Sequence, residues 1–165
     1  MSARQRKALT IKEEKHAVDP RPFGGLRGLL YGAAALLALL GLADAVYLTI
    51  NHLTGQSARC TVTGGCNEVL GSTYASVGGF PIAALGALAY FAAFSLATLA
   101  LFGYRQAQTL FAIIVGLMFL TTLWLLFVQA FILHKYCEYC LFSAAITLLL
   151  SGIVVALRYQ SKAAG

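Results

Sequence analysis

Four cysteines fall in two pairs, Cys60 with Cys66 and Cys137 with Cys140. Such pairs can exchange electrons, staple a loop or contribute to a metal site. Cys137, Glu138, Tyr139 and Cys140 form a C-x-x-C where a long apolar run begins. Residues three apart share a helix face, and the free amides and positive dipole end of a helix N-terminus favour a thiolate at the first cysteine. Cys140 is then one turn deeper, toward an oxidant dissolved in lipid. Cys60 and Cys66 enclose Thr61, Val62, Thr63, Gly64 and Gly65, a stretch whose glycines let it close into a bridge or swing. A swinging loop disulfide can take an electron pair from a soluble thiol protein and pass it to the C-x-x-C by thiol–disulfide exchange. The residues alone leave two other readings open. The loop pair also suits a structural staple in an oxidising compartment, and the C-x-x-C with His134 offers at most three ligands to zinc or copper. A non-enzymatic membrane protein with structural disulfides or a metal site is therefore the alternative to an oxidoreductase. Redox chemistry is the better account, and no metal is assigned.

The elements that must position these cysteines follow from composition. Of 165 residues, 59% are apolar and 11% charged, against about a quarter charged in a soluble domain, so the chain is expected to live in lipid. Crossing a hydrocarbon core of about 30 Å takes roughly twenty helical residues. Four runs suffice, at about 28–51, 80–102, 106–133 and 137–157. They are continuous rather than alternating, which favours helices over barrel strands. The expected fold is an all-α integral membrane protein, a four-transmembrane-helix bundle with an extracytoplasmic loop and short-helix cap. Its parts are a basic tail (1–27), the membrane domain (28–158) and a C-terminal tail (159–165). The outer loop is 53–79, and 67–70 within it is expected to form a helical turn.

Charge placement sets the expected orientation. Seven of the twelve Lys and Arg (Arg4, Arg6, Lys7, Lys12, Lys15, Arg21 and Arg27) precede the first apolar run. With Arg105, Arg158 and Lys162 they make ten on one side, against Arg59 and Lys135 on the other. Cytoplasmic loops keep positive charge, so both termini are expected in the cytoplasm and all four cysteines on the extracytoplasmic side of the cell (inner) membrane. There disulfides form and persist. The net charge of +6 is thus an orientation signal; no aromatic residue is interleaved with the basic ones before Phe23, so no nucleic acid partner is expected. The small-residue triplet Ala43, Asp44, Ala45 resembles a signal cleavage site, but the apolar run continues past it, and an uncleaved first helix is the simpler reading.

The terminal acceptor follows from energetics. A strongly oxidising soluble dithiol protein has a potential of about −120 mV, and about 30 mV corresponds to 1.4 kcal/mol for two electrons. Regenerating it takes a still stronger oxidant, which a lipid-soluble quinone supplies. No nucleotide or flavin fingerprint is present in the sequence.

Four signatures resemble the bacterial homologues of vitamin K epoxide reductase, the VKOR family. They are the loop pair Cys60 and Cys66; the following Asn67, Glu68, Val69, Leu70, Gly71, Ser72, Thr73, Tyr74 and Ala75; then Gly79, Phe80 and Pro81 with Gly86 and Tyr90; and the C-x-x-C at Cys137 and Cys140. The resemblance covers about residues 45–143. It implies a four-helix bundle around a quinone of the ubiquinone, menaquinone or vitamin K type, with Cys137 and Cys140 as active site and Cys60 and Cys66 as shuttle. It also implies that a thioredoxin-like protein of the DsbA kind is oxidised at Cys60, that Cys66 relays by attacking Cys137, that Cys140 faces the quinone, and that Ser72 lies beside the active site with its hydroxyl supporting the loop. Many members carry a fused thioredoxin-like domain after the last helix; with the chain ending at Gly165, a separate redox protein is expected. Disulfide oxidases of the DsbB type carry the C-x-x-C in the first outer loop, and the reverse order here favours VKOR. Reduction of vitamin K or its epoxide along the same electron path is the enzymatic alternative.

Asp44 in the first helix is costly in lipid, and such carboxylates are functional candidates; a hydrogen-bonded group packed inward is the preferred reading. His52 and His134 lie near the interface and are assigned no role. Trp124 is read as packing and lipid contact.

Overall fold

A helix satisfies its own backbone polar groups, which is what hydrocarbon demands of any segment crossing it. The computed structural model describes residues 25–55, 66, 69, 71, 76–77 and 80–163. The four apolar runs form α1 (Leu26–Thr54), α2 (Ile82–Leu101), α3 (Arg105–Phe127) and α4 (Glu138–Ala163). Each is long and apolar enough to cross a membrane, α3 taken together with the π-helical segment Val128–Leu133 that continues it. The expected four-helix membrane architecture is thus present. One feature was not expected: a small antiparallel hairpin, β1 (Ser76–Val77) with β2 (Phe80–Pro81), in which Ser76 pairs with Pro81 and Val77 with Phe80. Phe80 and Pro81 are extended, so α2 begins at Ile82 rather than at 80. Pro81, at φ −65° and ψ 133°, suits the residue before a helix because it has no N–H to satisfy.

The helices pack in a ring, α1 on α2, α2 on α3, α3 on α4, and α4 back on α1. Lipid tails are as apolar as leucine, so close packing of small residues, rather than escape from water, holds such helices together. The buried stripe of α1 is Tyr31, Ala34, Ala38, Gly41, Ala45, Leu48 and Asn51. That of α2 is Tyr90, Ala93, Ala97 and Ala100. Large side chains such as Leu36, Leu88, Phe91 and Leu120 lie on the outside, where lipid covers them. The hydroxyls of Thr49, Ser95, Thr98, Thr121 and Ser151 each donate to the carbonyl four residues earlier. These bonds remove exposed polar groups from the spans.

Two aromatic side chains fill the middle of the ring. Tyr31 meets Phe111 of α3 edge-on, with centroids 6.0 Å apart. Tyr90 crosses from α2 to α4, its hydroxyl 2.8 Å from Ser143 Oγ, 3.0 Å from the Ser143 carbonyl and 3.1 Å from Thr147 Oγ1. Its ring lies so close over Gly41 of α1 that a Cβ there would overlap it. Gly41→Val is therefore expected to destabilise the bundle by about 1–3 kcal/mol, the usual range for overpacking. Thermal unfolding in detergent measures this, with Gly116→Ala and Gly152→Ala, where a Cβ meets nothing within 4 Å, leaving the midpoint nearly unchanged.

Candidate active site

The joint between α3 and α4 builds the site. After Phe127 the helix widens into the π-helical segment, and His134 then takes a left-handed conformation (φ 51°, ψ 29°) that turns the chain. Widened turns of this kind often occur at functional sites. Here the segment carries Gln129, which is almost fully buried. The Gln129 carbonyl accepts from the Lys135 N–H at 3.3 Å, and its Oε1 accepts from the Cys137 N–H at 3.1 Å. One amide thus ties the end of the third span to the first cysteine of the C-x-x-C.

Cys137 immediately precedes α4 and caps it. Its carbonyl accepts the Leu141 N–H at 3.0 Å, and its Sγ accepts the Cys140 N–H at 3.4 Å. A side-chain oxygen commonly takes this N-capping role; here a sulfur does. The Cys140 thiol, hydrogen-bonded to Cys137 Sγ, holds the Cys137 thiol below its ordinary range; the N–H groups of Cys140 and Tyr139 act the same way, and burial opposes them. The cause is donors aimed at the charged form.

Cys137 and Cys140 carry free thiols, whereas Cys66 is disulfide-bonded, so neither is its partner. Cys60 and Ser72 lie outside the described residues. Cys66 and Val69 have helical backbone. Both are buried in one cluster with Leu48 of α1 and Cys137, bordered by Ala83, Leu133, Tyr139 and Cys140. A loop cysteine distant in sequence is thereby brought against the C-x-x-C. At the rim, the Tyr47 and Tyr139 rings lie 5.3 Å apart.

Asp44 is half-buried, and its Oδ2 is buried without a hydrogen-bond partner. Its charge reaches Tyr90, Cys137, Tyr139 and Cys140. His52 and His134 are exposed. Trp124 is also exposed and stacks on Phe127, which in turn packs against Phe131. An outward-facing groove of about 430 Å³ between α1 and α2, floored by Leu42, Val46, Ala87 and Phe91, includes none of the cysteines in its lining. Sequence reasoning missed Gln129. Its signal was available, since Gln129 is the one amide in the apolar stretch 110–133 and polar groups there are expensive.

The sequence pattern of the vitamin K epoxide reductase family matches residues 33–155. The chain belongs to the vitamin K epoxide reductase family. As a member of that family with four membrane-crossing helices, it is a multi-pass membrane oxidoreductase. The family match runs from α1 into α4 and so includes both cysteine pairs, Gly86, Tyr90 and Gln129.

Two outcomes follow from this geometry. Because the Cys137 shift is downward, its thiolate persists below the ordinary thiol pKa of about 8.5 and is lost only as pH falls through the lowered value. Iodoacetamide labelling of the reduced protein, read site by site across pH, is expected to show this, and Cys140→Ala moves the fall in labelling to higher pH. Gln129→Leu leaves the buried Cys137 N–H unsatisfied, at a cost of about 1–3 kcal/mol, read as a lower unfolding midpoint of the reduced protein.

Proposed function

We propose that this family member is a quinone-dependent thiol–disulfide oxidoreductase that supports disulfide formation on the extracytoplasmic face of the cell membrane. The observation that carries the reading is the burial of disulfide-bonded Cys66 in one cluster with the free thiols of the C-x-x-C. A separate thioredoxin-like protein of the DsbA type attacks the loop disulfide at Cys60. Cys66, released as a thiolate, attacks Cys137 in an oxidised Cys137–Cys140 pair and expels Cys140. The donor's second thiol resolves its bond to Cys60 and leaves as the donor disulfide, and Cys60 attacks Cys66, restoring the Cys60–Cys66 bridge and releasing Cys137 as a thiol. An oxidised loop beside a reduced C-x-x-C is the state that follows this transfer. Stabilising the Cys137 thiolate makes the pair more oxidising, because whatever favours the reduced form raises the potential.

The residues present suit a quinone. The buried cluster is apolar and opens at partly exposed Cys140 and Tyr139, and nearby Asp44 holds a buried oxygen that lacks a partner. An apolar ring system matches the cluster, and the Asp44 carboxyl, when it carries a proton, can donate to one of the two carbonyl oxygens. Cys140, Tyr139 and Leu133 would hold it, and it supplies an acceptor for two electrons and two protons. Ubiquinone, menaquinone and vitamin K all have this chemistry. Ser72 is assigned a supporting role in the loop. Ten Lys and Arg against two favour cytoplasmic termini, with the cysteines on the opposite face. The family match also favours a second reading, in which the vitamin K quinone or its epoxide is the substrate that matters and the same cysteines reduce it.

The purified protein in detergent, given a reduced thioredoxin-like donor, is expected to reduce quinone. Cys137→Ala or Cys140→Ala abolishes the reaction. Cys60→Ala or Cys66→Ala blocks the protein donor but spares reduction driven by dithiothreitol, which reaches the C-x-x-C directly. Loop variants that kept full activity with the protein donor would end the shuttle reading.

A further inference from the structure

We propose that Asp44 is the proton carrier for reoxidation of the C-x-x-C, a role that rests on the quinone reading above. Tyr90 touches Gly41 of α1 and Ser143 and Thr147 of α4, so these residues share a layer. Toward the cysteine end, Leu48 of α1 joins Cys137 in the buried cluster and marks a second layer. Asp44 follows Gly41 by three residues, and Cys140 precedes Ser143 by three. At a rise of 1.5 Å per residue, each stands about 4.5 Å above the Tyr90 layer. Since α1 and α4 are neighbours in the ring, the carboxyl and the Cys140 thiol lie at one level on adjacent helices.

A carboxyl that is merely structural needs partners for both oxygens, and Oδ2 is buried with none. Among the described residues no ion pair explains it either. The α1 span beyond Arg27, all of α2 and the third span beyond Arg105 contain no Lys or Arg, those of α4 are Arg158 and Lys162 at its far end, and Lys135 is exposed in the joint. The titratable groups within electrostatic reach of Asp44 are Tyr90 of α2 and Cys137, Tyr139 and Cys140 at the start of α4. The third span offers none between 106 and 133. Asp44 therefore sits level with the Cys140 thiol, whose proton must leave as the second sulfur is oxidised.

In the step itself, Cys140 gives its thiol proton to the Asp44 carboxylate. The Cys137–Cys140 S–S bond forms, two electrons leave to the quinone, and Asp44 returns the proton to one quinone oxygen. The other oxygen takes a proton from the aqueous side, replacing the one Cys137 released there. Dithiol and quinone become disulfide and quinol, and Asp44 ends as it began.

The test compares wild type, Asp44→Asn and Asp44→Glu in detergent, with dithiothreitol as donor and ubiquinone-1 as acceptor. Asp44→Asn is expected to slow quinol formation roughly 10²-fold, the lower end of what a positioned acid–base group contributes. Its residual rate should fall about tenfold per unit rise in pH, since its proton now comes from bulk water, while Asp44→Glu recovers most of the rate. Separately, the reduced-minus-oxidised infrared difference spectrum of the quinone-free protein should contain a carboxylic C=O band that Asp44→Asn removes. An equal loss at every pH with no recovery in Asp44→Glu, or no such band in the wild type, overturns the proposal. Wild type that reduces no quinone overturns the functional reading instead, and the infrared band alone then decides whether the carboxyl responds to the cysteines.

Discussion

A tyrosine hydroxyl carried into hydrocarbon must find partners, and Tyr90 finds them across the bundle on Ser143 and Thr147 only because Gly41 leaves room for its ring. That contact joins three of the four helices at one level. It fixes the height of α4 relative to α1, and therefore the height of the C-x-x-C, whose second cysteine is one turn away from Ser143. The alanines on either side allow it. Ala38 and Ala45 flank Gly41 on α1, and Ala93 and Ala97 continue from Tyr90 on α2. With larger residues in those places the helices would stand further apart, and the hydroxyl would fall short of α4.

The joint between α3 and α4 solves a different problem. A chain reversing at the edge of the bilayer exposes the last carbonyls of one helix and the first amides of the next, and solvent cannot be relied on to satisfy them. Gln129 takes one from each side, the Lys135 N–H on its carbonyl and the Cys137 N–H on its side chain. Gln129 can do so from the π-helical segment, which carries the third span to the start of α4. Cys137 then caps its own helix with sulfur. The amides that would otherwise need water thus bind the reactive group, so the solution to a folding problem is also the activation of the thiol.

The sequence made the helices legible because apolar length is a strong signal, and Phe80–Pro81 shows where it weakens. Apolarity there marks membrane proximity without marking helix, and proline at the boundary moved the start to Ile82. The third span read as uninterrupted helix to 133 because Val128–Leu133 has nothing in its composition that distinguishes a π-helical turn from an α-helical one. At the site, C-x-x-C spacing was enough to anticipate a helix N-terminus and a thiolate at Cys137. The approach of Cys66 to Cys137 had no local signal, since no spacing rule relates a loop to a helix so much later in the chain; only the family resemblance implied it. Gln129 and Asp44 were visible as polar residues out of place. Which groups they face depends on helix rotation and depth, and these are set by Tyr90 and Gly41 rather than by neighbours in sequence.

The burial of Cys137 bears on how a thiolate can persist there at all. A thiolate removed from water loses its hydration, and without replacement donors it would take up a proton and lose its nucleophilicity. Three donors from the first turn of α4 and Cys140 replace that hydration, and the net effect on Cys137 is downward despite complete burial. Cys66 is buried in the same cluster, where water is largely excluded. Electrostatic stabilisation by fixed donors is stronger in such surroundings than in solution. The reactivity of the Cys137 thiolate therefore comes from a helix end that supplies it with donors where water is scarce.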